Sequence, residues 1–411
     1  MNMSSINLLL NCIKRPLPEG DAFKLPPMTQ QAWHDLLNLA NEQRVAGLLY
    51  YRLRQRRLDS QCPDDVRQAM RNRMLGVAGS NLRLYAGLRE IAEALAARNI
   101  PIIALKGAYM AQQVYPDLSL REMNDIDLLA PKDRMSDAAE VIMGLGYKPQ
   151  FAYQMSIELE TSHHLPPFLR AGRPAIELHW NISRPDVYYA IDPSQLWRNT
   201  LKFDVGGAPL QGLSIQNLLM HLCVHTSYHH QFDFGLRPFC DIAELIHCHG
   251  EKIDWDDFLR QVASKNWRRG IYLSLRLARD MVGAGVPDTV FEQLWQGEKE
   301  PTVMQATHHM LFSEKSAREY MTTEAAKVFH RAGRFAKFSG MLRRVFLPPR
   351  LICRIYSLPQ GSWRVYWFYL VRLKDLIGRY RQAIYRLWTK TPATLSLAAR
   401  KSVIAQWLEN A

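Results

Sequence analysis

The chain has 411 residues, room for two or three domains and a sizeable core. Hydrophobic residues make up 47% and charged residues 22%, a globular mix that excludes a long disordered chain, a collagen-like repeat and a disulfide scaffold. The net charge of +13 is concentrated: residues 331–411 carry 16 Lys/Arg against Asp375 and Glu409, leaving 36 basic and 37 acidic side chains elsewhere.

The N-terminal apolar run, Ile6 to Leu10, has no basic residue before it and does not read as a signal peptide. The first hundred residues read as helices. Thr29 is placed to cap one carrying Trp33, Leu36, Leu37 and Ala40, and a second spans Val45 to Leu58. Pro63-Asp64-Asp65 opens a long helix to about Arg98, with Leu75, Leu82, Leu88, Ile91 and Leu95 on its apolar side and Asn99 as its stop. At residue 100 the period changes. Ile100-Pro101-Ile102-Ile103-Ala104-Leu105 reads as a buried strand. Lys106-Gly107-Ala108 follows, then a short helix to about Tyr115. Asp125 to Leu129 is a second strand, Asp133 to Leu145 a helix closed by Gly146, and Ala175 to Trp180 a third strand. Helices return at Ser214–His229, Phe239–His249, Asp254–Val262 and Arg269–Val282. The fold class expected is α+β: a small mixed-sheet core at 100–212, an N-terminal helical region at 1–99, and helical domains at 213–330 and 331–411.

The chemistry sits on the strands. Asp125 and Asp127 are two apart, so on a strand their carboxylates share a face while Ile126 enters the core. Two converging carboxylates repel and lose water, and a divalent cation with hard oxygen ligands, Mg²⁺, offsets both costs. Glu177, between Ile176 and Leu178, supplies a third carboxylate. Such a set suits in-line attack on a nucleotide α-phosphate, with pyrophosphate leaving. Gly107 and Ala108 form a small-residue turn whose backbone can approach phosphate oxygens, and Lys106 and Arg121 are candidate phosphate contacts.

Together, Leu105-Lys106-Gly107-Ala108, Tyr115-Pro116, Arg121, Asp125-Ile126-Asp127-Leu128-Leu129, Ala138-Ala139 and Leu145-Gly146-Tyr147, over about 45 residues, resemble the bacterial "nucleotidyltransferase family protein" group of the polymerase-β-like superfamily. Glu177-Leu178-His179-Trp180 and Asp241-Ile242-Ala243 extend the resemblance. It departs at Ala108, where the superfamily usually has Gly or Ser, and in a longer spacing from Gly107 to Asp125. The resemblance implies a metal-dependent nucleotidyltransferase moving a nucleoside monophosphate from an NTP to an acceptor, whether small molecule, protein or RNA. Asp125, Asp127 and Glu177 would be its catalytic and metal-binding residues, in a site holding two metal ions. The alternative is a catalytically degenerate nucleotide-binding adaptor docking on a membrane surface or RNA.

Six of the 13 histidines lie between His221 and His249, near Cys223, Cys240 and Cys248. His221, His225 and His229 share a helix face. Zinc is one reading, but without paired cysteines a polar helix lining the cleft is favoured. His225 is the member assigned to nucleotide binding, with Asp241 orienting it or capping a helix. His179 is expected to support the metal site from behind, and His163 and His164 either border the active site or, as favoured, are ordinary surface residues. The C-terminal segment interleaves Trp363, Tyr366, Trp367, Phe368, Tyr369, Tyr380, Tyr385 and Trp388 with Arg364, Arg372, Lys374, Arg379, Arg381 and Arg386. Aromatic and basic residues together suit an anionic membrane interface or a nucleic-acid backbone, or a helical domain with an aromatic core. No run of about 18 apolar residues suggests a membrane span, and the expected location is cytoplasmic, membrane-peripheral through residues 331–411.

Overall fold

The computed structural model describes residues 3–15, 23–185, 187, 189–295, 297, 301–313, 346–356, 358–359, 361–374 and 392–409. Two compact units emerge, one of Met1–Phe151, Glu158–His230 and Phe234–Gly297, the other of Ala152–Ile157, Gln231–Asp233 and Glu298–Ala411.

The first unit opens with α1 (Met3–Ile13), α2 (Gln30–Glu42), α3 (Ala46–Gln55) and α4 (Asp64–Ala96). Thr29 caps α2, accepting a hydrogen bond from the Ala32 amide. α4 begins after Pro63 with Asp64 and Asp65 in its first turn, where carboxylates favour the helix dipole. It ends before Asn99, whose φ of 52° turns the chain away. Leu88, Ile91 and Leu95 are buried. Leu75 and Leu82 are not: they are 63% and 59% exposed. The buried stripe runs the length of the helix, from Val66 and Met70 through Val77 to Leu95, and Leu75 and Leu82 stand about a third of a turn or more away from it.

The sheet has seven strands in the order β3-β4-β5-β2-β1-β7-β6. These are β1 (Ile103–Ala104), β2 (Asp125–Leu129), β3 (Lys148–Pro149), β4 (Phe168–Leu169), β5 (Ala175–His179), β6 (Leu201–Val205) and β7 (Ala208–Gly212). β2 is parallel to β5, β1 is antiparallel to β2, and β7 is parallel to β1. The sheet is mixed and the class is α with β, as expected, although only two residues of the Ile100–Leu105 run pair as a strand. The β6–β7 hairpin was not expected. Between the strands run α5 (Gly107–Gln113), α6 (Met135–Gly144) and α7 (Met155–Thr161).

α8 (Ile215–Val224), capped by Ser214, continues into a π-helical turn at His225–His229. α9 (Arg237–His249), α10 (Trp255–Ala263), α11 (Arg268–Val282) and α12 (Asp288–Leu294) complete the unit. Glu244 on α9 pairs with buried Arg52 of α3 and with Arg15 at 2.8 Å. This ties the N-terminal helices to α9.

In the second unit α13 (Pro301–Leu311) packs on α14 (Pro392–Glu409), burying Val303, Met310, Leu311, Leu397, Ile404 and Leu408. Lys401 pairs with Asp233 at 2.7 Å. A smaller core of Ile352, Cys353, Leu358 and Val365 lies beneath a helical run over residues 365–374. Tyr380, Tyr385, Trp388, Arg379, Arg381 and Arg386 lie outside the described residues. Among the described residues, no helix is long and apolar enough to cross a membrane.

Candidate active site

Asp125, Ile126 and Asp127 on β2 stand opposite Ala175, Ile176 and Glu177 on β5. Strand alternation buries Ile126 and Ile176 and turns the three carboxylates to one side. There they line a cavity of about 210 Å³, together with Lys106, Gly107, Arg121 and His225. Seven of the eight residues selected from sequence thus share one cavity. Ala108 does not line it: its side chain is buried and its carbonyl accepts the Tyr85 hydroxyl at 2.7 Å.

The carboxylates are electrostatically unequal. Burial alone would raise Asp127, but Lys106, whose Nζ lies 3.5 Å from Oδ2, and a hydrogen bond from His179 hold it well below the usual carboxylate range. His179 Nε2 lies 3.1 Å from Asp127 Oδ1 and 3.5 Å from Glu177 Oε2. It lowers Glu177 as well, and despite burial its own pKa is raised by bonding to both carboxylates. Asp125, at the open end of β2, is raised by desolvation and by the charges of Asp127 and Glu177.

Lys106 enters α5 with φ 36°, a left-handed conformation that a lysine adopts only under constraint. Gly107 follows because nothing larger fits. A Cβ there would lie 2.7 Å from Arg121 Nη1 and 3.3 Å from Met123 Cγ. Arg121 in turn is committed. Its Nε and Nη2 donate to the two carboxylate oxygens of Asp241 at 3.0 and 2.9 Å, and Tyr115 Oη donates to the same carboxylate at 2.9 Å. Asp241 therefore neither orients His225 nor caps α9; it clamps the loop ahead of β2. Asn81 on α4 holds that loop too, through the Leu118 and Arg121 carbonyls at 2.6 and 2.8 Å.

Sequence reasoning missed Arg237 and Arg44, which line the cavity beside Arg121. Arg237 is the first residue of α9, where a cation opposes the helix dipole. That misplaced charge was the available signal. Its Nη1 donates to the Glu122 carbonyl at 3.2 Å, its Nε is buried with no hydrogen-bond partner, and burial and the neighbouring Arg121 lower it to about 10. His230 and Phe234 complete the wall. His230 Nε2 is 3.0 Å from His225 Nε2, and its ring lies edge-on to Phe234 with centroids 4.0 Å apart.

His163 and His164 are half-buried beside the site rather than ordinary surface residues. Their rings lie 5.7 and 5.0 Å from that of His179, and burial lowers both, His163 to about 2. Among the described residues, the converging metal-type donors are Asp127, Glu177 and His179, one atom from each lying within 4.8 Å of the others. Asp125 adds a carboxylate whose ionisation its neighbours oppose. Oxygen donors dominate, which fits a hard divalent cation.

A family model described as "Uncharacterised nucleotidyltransferase" matches residues 29–283. No curated protein matches the chain. A solution structure of the antibiotic-resistance factor ANT(2'')-Ia is similar at 14% identity and a TM-score of 0.33, covering 46% of this chain and 95% of that one. A likeness that loose carries no argument about activity.

Proposed function

This chain belongs to the family of uncharacterised nucleotidyltransferases, and on that premise we propose that it moves a nucleoside monophosphate from an NTP to an acceptor in a Mg²⁺-dependent reaction. The observation that carries this reading is the meeting of Asp125, Asp127 and Glu177 with Lys106 and Gly107 in one small cavity. The acceptor nucleophile forms a bond to the α-phosphorus, the bond to the bridging oxygen of the β-phosphate breaks, and pyrophosphate leaves. The acceptor class stays open among small molecule, protein and RNA.

Asp125, Asp127 and Glu177 would hold the metal, which when bound offsets the charge on the transferring phosphate and the leaving pyrophosphate. His179 positions Asp127 and Glu177 through one imidazole nitrogen. Glu177 would complete the metal site or take a proton from an acceptor hydroxyl. Lys106 and Arg237 face the triphosphate, and Gly107 keeps the turn low enough for its approach. Arg121 acts through Asp241, holding the loop that delivers Asp125. His225 borders the nucleotide on the far wall with His230. At about 210 Å³ the cavity is below the size of whole-ligand pockets, so it takes the phosphate and metal end while base and sugar point outward. Contact of residues 331–411 with an anionic membrane surface, at a cytoplasmic face, belongs to the same reading.

One observation favours the adaptor alternative: Asp127 is paired with both Lys106 and His179. Calorimetry of NTP binding with and without Mg²⁺ separates the two. Binding that requires Mg²⁺ and is lost in Asp125→Asn/Asp127→Asn supports the transferase. Equal NTP binding in the double variant supports the adaptor.

A further inference from the structure

We infer that the helical run over residues 365–374, with Trp363 just ahead of it, docks in the plane of an anionic lipid bilayer through one exposed face. The inference rests on the membrane part of the reading above and not on the transfer chemistry. One side of this run is fixed within its own unit. Val365 is buried in the small core, Phe368 packs on Tyr356 with ring centroids 4.8 Å apart, and Tyr369 Oη donates to the Leu347 carbonyl at 2.6 Å. The other side is an unbroken apolar ridge in water. Trp363, Tyr366, Trp367 and Leu370 are 77, 72, 64 and 58% exposed, and Leu373 is 37% exposed. These positions recur at three and four residues, so they form one stripe. Phe346 and Ile355, in the same unit, are also exposed, at 60 and 47%. Single exposed apolar residues need no explanation, but a contiguous ridge does.

Charge decides what covers it. Residues 346–374 contain Arg350, Arg354, Arg364, Arg372 and Lys374 and no acidic residue, and Arg364 and Lys374 are exposed. A second copy of the chain would set like charges against each other around the ridge. Single-stranded RNA suits the basic residues and the aromatic rings, but Leu370, Leu373 and Ile355 have no face on which a base can stack. A bilayer surface satisfies every component. Phosphate headgroups meet the arginines and lysine, Trp and Tyr rings sit at headgroup depth, and the leucines reach the acyl boundary. The described part of the run is ten residues, about 15 Å at helical rise, and among the described residues no helix is long and apolar enough to cross a membrane, so the run is placed in the plane of the interface.

Flotation of the full-length protein with vesicles tests this, using phosphatidylcholine mixed with phosphatidylglycerol against phosphatidylcholine alone. The wild type should bind the mixed vesicles, weakly or not at all the neutral ones, and less as salt is raised. Trp367→Ser/Leu370→Ser, both at exposed positions, should keep the wild-type circular dichroism and lose affinity by roughly tenfold or more, as expected for removing buried apolar contacts. Leu82→Ser, an exposed leucine elsewhere, should change nothing. If the double variant binds mixed vesicles as the wild type does, the ridge is not the docking face although membrane contact survives. If the wild type binds neither vesicle, both are overturned. If the double variant instead turns a dimer into a monomer, or loses a single-stranded RNA that the wild type holds while neither binds vesicles, the ridge belongs to that partner and the lipid assignment is overturned.

Discussion

Asp125 and Asp127 are chemically alike and two residues apart, yet their surroundings give them opposite effects on stability. Asp125 is opposed by two like charges, so Asp125→Asn should raise the melting temperature slightly. Asp127 anchors Lys106 and His179, so Asp127→Asn leaves two cationic groups in a desolvated site and should cost on the order of 3 kcal/mol. Both should abolish transfer. Thermal scans beside activity assays check this, and shifts of the same sign in the two variants would contradict it. A second contrast separates the arginines. Arg121→Lys breaks a buried two-point contact to Asp241 that an ammonium cannot reproduce, and should destabilise by on the order of 3 kcal/mol. Arg237→Ala removes a cation with an unpaired Nε. It should leave the melting temperature near wild type and raise the Michaelis constant for NTP roughly tenfold, as loss of a charge-assisted contact predicts. Equal melting losses in the two variants would place Arg237 in the scaffold instead.

At the scale of elements, α4 illustrates what periodicity can and cannot show. Its 3.6-residue pattern marks an apolar face, and Leu88, Ile91 and Leu95 take it up against the sheet. Leu75 and Leu82 lie about a third of a turn or more off the buried line of Val66, Met70, Val77 and Leu88, an offset that a list of apolar positions blurs. Leu75→Gln and Leu82→Gln should therefore change stability by no more than about 0.5 kcal/mol, while Leu88→Ala should cost roughly 2 to 5 kcal/mol. Urea unfolding distinguishes the cases, and a large loss from Leu75→Gln would mean that the exposed face is packed. The strands holding Asp125, Asp127 and Glu177 were legible because alternation and β-branched residues are local. The β6–β7 hairpin carried its own signal in Gly206-Gly207, both with positive φ, between alternating runs. The roles of Gly107, Arg121 and Asp241 were not legible. Their spacing suggested phosphate binding, but a separation of 120 residues hides the Arg121–Asp241 clamp that makes Gly107 necessary. Arg237 carried one local signal, a cation at a helix start, but the cavity it lines is assembled from elements distant in sequence.

For the molecule as a whole, the buried histidines set a pH limit. Burial, then Lys106, lowers His229 and His230 to about 3; burial also puts His221 and His225 well below their ordinary value. In the unfolded chain each titrates near 6.5. A pKa depressed by folding means that stability is complete above about pH 6.5 and falls as pH drops toward the folded values. His163 and His164 are lowered in the same way, and His179, whose pKa is raised, works in the opposite direction but is one group against six. Urea midpoints should accordingly decline between pH 7 and pH 5, about the range in which carboxylates are still ionised, and a flat profile there would contradict buried neutral imidazoles. The central claim, transfer of a nucleotidyl group by the Asp125–Asp127–Glu177 cavity, is tested most directly by parallel reactions with α-labelled and γ-labelled ATP, Mg²⁺ and cell lysate as the source of acceptor. The account predicts that the α label moves onto an acceptor, that the γ label leaves as pyrophosphate, and that Asp125→Asn and Asp127→Asn do neither. Transfer of the γ label with no transfer of the α label, or α-label transfer that persists in both variants, would contradict it.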